Sequence, residues 1–205
     1  MQHSAVFSQN DVLGNPKTYE FPGWGELSAT TCRYIKVLSD IISWFPHLAE
    51  REDLRIAEIG GGYGGQAKIL GTVLRIAEYS IIDLPEAGLL QSSYLKRLDP
   101  DFPVHPVSNE DVQLLSNIDL VISNYALSEC RLPVARRYVD LVVNQASHGY
   151  MTCNYLSYKC PTREHFRRWI TADLQLRDED PLTNRRNYIL TWATEPESMP
   201  RQQSQ

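Results

Sequence analysis

The chain has 205 residues, of which 42% are hydrophobic and 22% are charged. That length allows one domain with a substantial core and argues against two full domains. The formal net charge of −5 leaves no broad basic surface, which disfavours a nucleic-acid partner and favours a small-molecule ligand.

The sequence carries no sign of a membrane or secretory segment. No apolar stretch approaches the roughly 20 residues that a membrane span requires. Residues 1–10 are polar and lack the basic-then-apolar order of a signal peptide. We therefore expect a cytoplasmic protein without a membrane partner. The four cysteines lack the paired spacing of a zinc site, and no Asp/Glu/His cluster has metal-ligand spacing, so the sequence supports no metal site.

The N-terminal quarter combines an irregular segment with one helix. Residues 1–27 are rich in Gly, Pro and Asn, which predicts a turn-rich lead-in or lid. Over residues 28–44 apolar positions recur at helical spacing, with Ser28 or Thr30 as the N-cap and Pro46 as the stop. We expect this helix to cover one face of a sheet.

From residue 54 onward, strand patterns alternate with helix patterns. Strands are predicted at residues 54–59, 79–84, 104–107, 119–123 and 149–154, and helices at residues 66–75, 87–98 and 132–145. A helix at residues 163–173 precedes a closing hairpin of strands at residues 174–177 and 187–192. The alternation predicts an α/β, Rossmann-like sandwich with a mostly parallel seven-stranded sheet and a C-terminal antiparallel hairpin. We divide the chain into a lead-in with the covering helix (1–50), a ligand-binding domain (51–195) and a polar tail (196–205).

A glycine cluster separates the first of these strands from the next helix, in the run Glu58-Ile59-Gly60-Gly61-Gly62-Tyr63-Gly64-Gly65. Glycines at this place allow tight turns with positive φ and bring backbone amides against a ligand, or they serve only close packing of the helix on the strand. Gly60, Gly62 and Gly65 fit the dinucleotide pattern G-x-G-x-x-G, and Asp83 ends the second strand, where a ribose hydroxyl would bind. A nicotinamide-dependent oxidoreductase is therefore one interpretation.

The acid inside the first strand favours a different ligand. The same run reads Glu58-x-Gly60-x-Gly62-x-Gly64, and a carboxylate two residues before the first glycine suits an amino group. The methionine part of S-adenosylmethionine (SAM) carries an amino group, whereas a pyrophosphate does not. Burial of Glu58 without a partner would cost several kcal/mol, so a cationic ligand or surrounding amides are expected there. We therefore favour SAM as the ligand.

Two motifs resemble those of the class I SAM-dependent methyltransferases. The run from Glu58 to Gly64 is similar to their first motif, and Ile82-Asp83-Leu84-Pro85 is similar to the second-strand motif common in O-methyltransferases. More narrowly, residues 58–66, 82–85 and 119–130 resemble a family of predicted sugar O-methyltransferases, and residues 10–16 and 30–34 extend the pattern. The resemblance covers most of residues 10–192. It implies a class I methyltransferase sandwich that moves a methyl group from SAM to a hydroxyl of a sugar or sugar-like small molecule.

The resemblance also implies a donor site at the carboxyl ends of the strands, where ligands of open parallel sheets collect. The loop glycines would wrap the methionine part of SAM, and an acid on each of the first two strands would bind its ammonium and its ribose hydroxyls. Residues after the second, third and fourth strands would contact the adenine and the sulfonium. The loop glycines are Gly60, Gly62 and Gly64, and the two acids are Glu58 and Asp83. The adenine contacts would be Leu84, Asn109 and Glu110, and Asn124 would lie near the sulfonium.

A hydroxyl acceptor calls for a base, because a hydroxyl is a poor nucleophile until its proton is taken. Glu129 is the first candidate, since it lies just past the fourth strand, although a Glu in a short helix is often only a dipole partner. Further candidates are His105 near the third strand and His165 on the late helix, although a lone histidine more often has a structural role.

Other side chains are candidates for contact with the acceptor. Tyr125, Asn154 and Tyr155 at strand ends could orient hydroxyls or bind loop backbone. Arg33 could meet an acidic acceptor group or belong to a solvated helix face. The run Ser123-Asn124-Tyr125-Ala126 departs from the Asn/Asp-Pro-Pro-Tyr motif of enzymes that methylate DNA bases, which disfavours a base as the acceptor.

The expected partner is a small-molecule acceptor, a sugar or nucleotide-sugar by the resemblance, with a homodimer as the candidate assembly. Two alternatives stay open. One is an NAD(P)-dependent oxidoreductase. The other is a SAM-binding but non-catalytic subunit or fragment, since members of the sugar O-methyltransferase family often carry more sequence before this region.

Overall fold

A computed structural model describes residues 4–194, which form a small hairpin and a central sheet flanked by helices. The strands are β1 (Thr18–Phe21), β2 (Gly25–Ser28), β3 (Leu54–Ile59), β4 (Ile76–Asp83), β5 (Val104–Ser108), β6 (Ile118–Asn124), β7 (Ala146–Cys153), β8 (Gln175–Asp178) and β9 (Tyr188–Ala193). The helices are α1 (Ser4–Phe7), α2 (Ala29–Trp44), α3 (Gly65–Leu70), α4 (Pro85–Leu98), α5 (Ala126–Glu129), α6 (Leu132–Leu141) and α7 (Arg163–Trp169). Short 3-10 turns lie at Ser8–Asp11, Pro46–Glu50, Val112–Leu114 and Val143–Gln145.

The central sheet has seven strands in the order β5-β4-β3-β6-β7-β9-β8. Strands β3 to β7 pair in parallel, and β9 runs antiparallel to both of its neighbours. The predicted mostly parallel sheet with a C-terminal antiparallel hairpin is thus confirmed. The strand order reverses between β3 and β6, and open α/β sheets bind ligands at the carboxyl ends of the strands on either side of such a point.

Apolar side chains cover both faces of this sheet. On one face, residues such as Ile41, Ile69 and Leu95 of α2, α3 and α4 pack on the strands. On the other face, Val139 of α6 and Phe166 of α7 belong to the second core cluster. Because both faces are covered, β3 and β6 are buried along nearly their whole length, as parallel strands generally are.

The predicted covering helix is present as α2. Ser28 is its N-cap, and the Ser28 hydroxyl accepts a 3.1 Å hydrogen bond from the Thr31 amide. The helix ends at Trp44, just before Pro46, which cannot continue it. Its buried side includes Val37, Leu38 and Ile41, so it packs onto the sheet face that also carries α3.

Residues 18–28 form the hairpin of β1 and β2 where irregular backbone was predicted. The two strands are joined by Pro22-Gly23-Trp24, and the Trp24 amide donates to the Phe21 carbonyl at 2.9 Å. Most side chains of the hairpin are exposed. It therefore lacks the alternation of buried and exposed residues by which a strand is recognised in a sequence.

Three helices end earlier than predicted. The helix predicted at 163–173 ends at Trp169, because the backbone of Ile170 is extended, with φ −83° and ψ 127°. The helix predicted at 66–75 ends at Leu70, where Gly71 packs so closely on the Phe102 ring that a Cβ would lie 2.1 Å from it. The helix predicted at 132–145 ends at Leu141, because the buried Val142 leaves helical geometry with a φ of −126°.

The predicted polar tail at 196–205 lies outside the described residues. None of the helices within residues 4–194 combines the length and apolar character needed to cross a bilayer. Within the same residues, no group of three or more His, Cys, Asp or Glu side chains is placed to hold a metal ion.

Candidate functional site

The loop between β3 and α3 holds its glycines in left-handed backbone conformations. Gly60, Gly62 and Gly64 have φ angles of 78°, 57° and 95°. A Cβ at Gly60 would lie 2.1 Å from the Cβ of Ala126, so α5 packs directly on the loop. At Gly62, no described heavy atom lies within 4 Å of the Cβ position. The loop therefore needs glycine for different reasons at these two positions, and its Gly62 side is open to a ligand.

Glu58 lies beneath this loop and is only 2% exposed. Its Oε2 accepts a 2.9 Å hydrogen bond from the Tyr79 hydroxyl, and the Cβ position of Gly61 lies 3.0 Å from the same oxygen. Burial raises the pKa of Glu58, the Tyr79 hydrogen bond lowers it and the nearby Asp83 raises it, so that the net pKa is about 7. A carboxylate this buried is costly to ionise, and a bound cation would stabilise its charged form.

Asp83 ends the neighbouring strand β4 and is tied to the glycine loop by Gln91. Its Oδ1 accepts from the Leu84 amide at 2.9 Å, and its Oδ2 accepts from Gln91 Nε2 at 3.2 Å. The same nitrogen donates to the Gly62 carbonyl at 3.0 Å. Gln91 is fully buried, and its Oε1 has no partner among the described residues. The sequence did not reveal Gln91, because the helical pattern of α4 does not distinguish one polar residue from another.

The predicted adenine contacts lie around the end of β4. Leu84 is 59% exposed, so it presents an apolar side chain beside Asp83. The Asn109 amide donates to the Asp83 carbonyl at 3.1 Å, which brings the end of β5 next to Asp83. Glu110 is exposed, and its backbone amide donates to the Ser108 hydroxyl at 3.2 Å. Leu84 and Asn109 therefore border Asp83, whereas the Glu110 side chain faces solvent.

Asn124 ends β6 beside the start of α3. Its Nδ2 donates to Gln66 Oε1 at 3.3 Å, and its Oδ1 accepts from the Thr152 hydroxyl at 3.4 Å. Gln66 is itself buried and donates to the Tyr34 carbonyl at 3.2 Å. These contacts hold the Asn124 side-chain amide between α3 and the end of β7.

The three candidate bases lie in different surroundings. Glu129 is exposed at the end of α5, and its Oε1 accepts a 2.6 Å hydrogen bond from Asn154 Nδ2, just past β7. His105 is exposed on the edge strand β5. His165 Nδ1 accepts from the Thr162 amide at 3.1 Å and completes the capping box of α7. The described contacts thus place Glu129 near the carboxyl ends of β6 and β7, and they bring neither histidine to this edge.

A cavity of about 240 Å³ opens beside Asn124, between α2, the ends of β6 and β7, and the loop from β8 to β9. Tyr125 forms one wall, with a φ of 67° that is unusual for a bulky residue. Its amide donates to the Thr152 carbonyl at 2.8 Å, and its hydroxyl donates to Glu179. Through Asn124, this cavity adjoins α3 and the glycine loop.

Glu179 anchors that wall from the β8–β9 loop. Besides Tyr125, it accepts hydrogen bonds from the amide and hydroxyl of Thr183, at 2.9 and 2.7 Å, and from Asn187 Nδ2 at 3.0 Å. Burial raises the pKa of Glu179, but these hydrogen bonds outweigh it and the net pKa is lowered. Glu179 is therefore a structural anion rather than a base. No local sequence signal connects it to Tyr125, which is 54 positions away.

A second, larger cavity of about 390 Å³ lies on the other side of the glycine loop. The 3-10 turn residue Asn10 borders it and donates to the Thr31 hydroxyl at 2.8 Å and to the Tyr63 hydroxyl at 3.0 Å. Tyr94 and Arg97 of α4 also line it, and the Tyr94 hydroxyl donates to Asn10 Oδ1 at 2.6 Å. Its lining includes neither Glu58 nor Asp83, and none of the side chains of Gln91, Asn109 and Asn124.

Solved structures of methyltransferases share this architecture. CalS10, an amino pentose methyltransferase from Micromonospora echinaspora with SAM bound, superposes with a TM-score of 0.57 at 13% identity, over 79% of this chain and 91% of that one. The proposed RNA methyltransferase PH1948 from Pyrococcus horikoshii gives a TM-score of 0.57 at 14% identity, over 97% and 98%. The mitomycin 7-O-methyltransferase MmcR gives 0.54 at 10% identity, over 80% and 55%. The fold is that of the class I methyltransferases.

Identities this low establish the fold alone. The three proteins are described as acting on an amino pentose, on RNA and on mitomycin, so the class I methyltransferase fold does not select an acceptor. No family model and no curated protein sequence matches this chain. The donor and the acceptor therefore have to be argued from the site itself.

Proposed function

We propose that the protein is a SAM-dependent O-methyltransferase that methylates a hydroxyl of a sugar or sugar-like small molecule. The observation that carries the proposal is the buried Glu58 carboxylate under an open glycine loop, with Asp83 at the end of the adjacent strand. A ligand that carries an ammonium at one end and a ribose at the other would satisfy both acids. SAM has this combination, whereas NAD would place a pyrophosphate against a carboxylate.

Different residues of the donor site would bind the two ends of that ligand. Glu58 and the glycine loop would hold the methionine part, and Asp83, oriented by Gln91, would hold the ribose hydroxyls. SAM, when bound, supplies an electrophilic methyl group. The contribution of the chain is to hold donor and acceptor close, aligned and shielded from water. Asn124 and Tyr125 separate the donor loop from the 240 Å³ cavity, which makes that cavity the nearest space for an acceptor.

Glu129 remains our proposed base. It does not line the 240 Å³ cavity but lies one helical turn past the wall residue Tyr125, whose carbonyl accepts from the Glu129 amide at 3.1 Å. A carboxylate that accepts one hydrogen bond from Asn154 keeps lone pairs for a hydroxyl proton. The variant Glu129→Gln is expected to slow methyl transfer by about 100-fold or more, the usual contribution of a general base, and to leave the Kd for SAM unchanged. The exposed Glu164→Gln on α7 is the matched control and should keep full transfer. Unchanged turnover in Glu129→Gln would remove Glu129 as the base.

Equilibrium dialysis with methyl-labelled SAM tests the donor, and a panel of sugars and nucleotide-sugars tests the acceptor. We expect saturable SAM uptake by the wild-type chain and loss of that uptake in Glu58→Ala and Asp83→Ala. Uptake of NAD in place of SAM would support the oxidoreductase alternative. Uptake of SAM without label transfer to any hydroxyl compound would support the non-catalytic alternative.

A further inference from the structure

One cavity is lined by charged side chains that take no part in the donor site. It lies between α2, the ends of β6 and β7, and the β8–β9 loop. We infer that this cavity is the acceptor site and that it takes a single polyhydroxylated ring carrying an anionic group, either a carboxylate or a phosphate. The inference rests on the proposed function, because it requires a SAM molecule at the adjacent glycine loop.

The volume and position of the cavity suit one ring. Its 240 Å³ is below the range of about 300–1,000 Å³ that is usual for sites of drug-sized ligands. Tyr125 follows Asn124 directly, and Thr152 is hydrogen-bonded to Asn124, so both wall residues adjoin the donor site. A ligand in this space would be next to the loop that holds the proposed donor.

Most of the charged groups in the cavity wall are already paired within the protein. Asp40 accepts from Lys36 Nζ at 2.5 Å and from the Tyr150 hydroxyl at 3.0 Å. Glu179 accepts four hydrogen bonds from Tyr125 and its own loop. These groups shape the wall but have little capacity left to bind a charged ligand.

Arg33 and Asp180 are the exceptions, and Arg33 is the cation of the two. Its guanidinium lies over the Tyr125 ring, 5.3 Å from the centroid, and it has no ion pair within residues 4–194. Because Glu179 fixes the hydroxyl of Tyr125, the ring gives the guanidinium a defined resting place at the cavity. A guanidinium with free N–H donors matches the paired oxygens of a carboxylate or phosphate.

The remaining wall groups suit hydroxyls. Asp180 is an exposed carboxylate that makes no ion pair with Arg33, and carboxylate oxygens accept hydrogen bonds from hydroxyl groups. The Thr152 and Thr183 hydroxyls can donate or accept. An anion at Arg33 together with several hydroxyls elsewhere is the ligand that uses all of these groups.

Calorimetric titration of the chain loaded with S-adenosylhomocysteine, the demethylated donor, tests the inference without turnover. The titrants are glucuronate, glucose 1-phosphate, neutral glucose and inorganic phosphate. We expect at least one of the two anionic sugars to bind at least about tenfold more tightly than glucose or phosphate alone, and the comparison between them separates carboxylate from phosphate. Equal affinities for glucose and the anionic sugars, binding as tight by phosphate alone, or no binding of either anionic sugar would overturn the inference.

Variants at Arg33 test whether the anionic sugar binds in this cavity. Arg33→Gln is expected to weaken binding of the anionic sugar about tenfold or more, and Arg33→Lys to give an intermediate loss, because it keeps the charge but not the paired donors. The control Arg136→Gln, on the outer face of α6, should bind like the wild type. Arg33→Gln with wild-type affinity for the anionic sugar contradicts the inference. Failure of the wild type to bind S-adenosylhomocysteine at all would instead refute the proposed function, so the two failures are distinguishable.

Discussion

Glu58 is a side chain whose charge depends on what is bound beside it. Burial is the main cause that raises its pKa to about 7, from 4.5 in an unperturbed glutamate. Between these pH values the folded chain holds a proton that the unfolded chain has released, so the free energy of unfolding falls as the pH rises. The full effect is about 3 kcal/mol, at 1.36 kcal/mol for each pKa unit. The folded protein without ligand therefore carries a neutral Glu58 below about pH 7.

SAM binding is expected to have the opposite pH dependence. The ammonium of SAM binds the ionised carboxylate, so the apparent Kd of the wild type should rise about tenfold for each pH unit below about 7. Calorimetry between pH 5.5 and 8 measures this dependence. Glu58→Gln cannot ionise, so it should bind SAM weakly and with little change over the same range. A wild-type Kd that stays constant from pH 5.5 to 7 would contradict the assignment of Glu58 to the ammonium.

Gln91 is expected to act on the donor through Asp83. In Gln91→Leu, both Asp83 Oδ2 and the Gly62 carbonyl lose a donor, and loss of a hydrogen bond to a charged group costs about 1.5–3 kcal/mol. We predict about a tenfold loss in affinity for 5′-methylthioadenosine, which carries the ribose but no ammonium. Free methionine, which lacks the ribose, should show little change. Gln113→Leu, at an exposed position, is the control, and equal losses for both ligands would indicate general damage to the fold.

The glycine loop and α5 behave as one packed unit. In Gly60→Ala the new methyl group would lie 2.1 Å from the Ala126 Cβ, in addition to the strain of a positive φ. Gly62→Ala meets no described atom, so only the strain of about 1 kcal/mol remains. We expect Gly60→Ala to lower the melting temperature more than Gly62→Ala, and Ala126→Gly to restore part of the loss in Gly60→Ala. No recovery in the double variant would show that the contact with α5 is not the cause.

The elements that could be predicted are those whose signal lies in consecutive residues. Strand β3 has the predicted bounds, because its apolar residues Leu54, Ile56, Ala57 and Ile59 are buried in sequence between polar residues and the glycine run, although Arg55 and Glu58 interrupt them. The hairpin of β1 and β2 could not be predicted from alternation, since its side chains are largely exposed. Gly71, at the end of α3, packs on the ring of Phe102, which is 31 positions away. Distant packing partners of this kind leave no trace in a local pattern.

The same distinction applies to the site. Glu58 and Asp83 were predictable because both stand at fixed positions relative to strands and glycines. Gln91, which links Asp83 to the Gly62 carbonyl, became visible only when β4 and α4 were packed together. The wall formed by Tyr125 and Glu179 likewise requires the β8–β9 loop to fold back across the sheet edge. Sequence pattern therefore pointed to the glycine loop and its two acids, and tertiary contacts were needed to find the cavity beside them.

At the scale of the whole molecule, the strand order separates the two ligand classes that the glycine pattern allowed. A nicotinamide-binding sheet of the usual doubly wound type continues in parallel after the fifth strand, whereas here β9 inserts antiparallel between β7 and β8. The loop between β8 and β9 then reaches the carboxyl edge and closes the cavity with Glu179 and Asp180. The sheet edge therefore carries the glycine loop and this cavity side by side.

A ligand bound at that edge should stabilise the whole domain, since it contacts β3, β4 and α3 together. SAM at 100 times its Kd is expected to add about 2.7 kcal/mol to the free energy of unfolding, which for a domain of this size raises the melting temperature by about 5–10 °C. NAD at the same concentration should produce no shift, because its pyrophosphate would lie against Glu58. Asp83→Asn should reduce the SAM shift by weakening the hold on the ribose. A shift with NAD as large as that with SAM would mean that the buried acid does not discriminate between the ligands, and the oxidoreductase alternative would then be favoured.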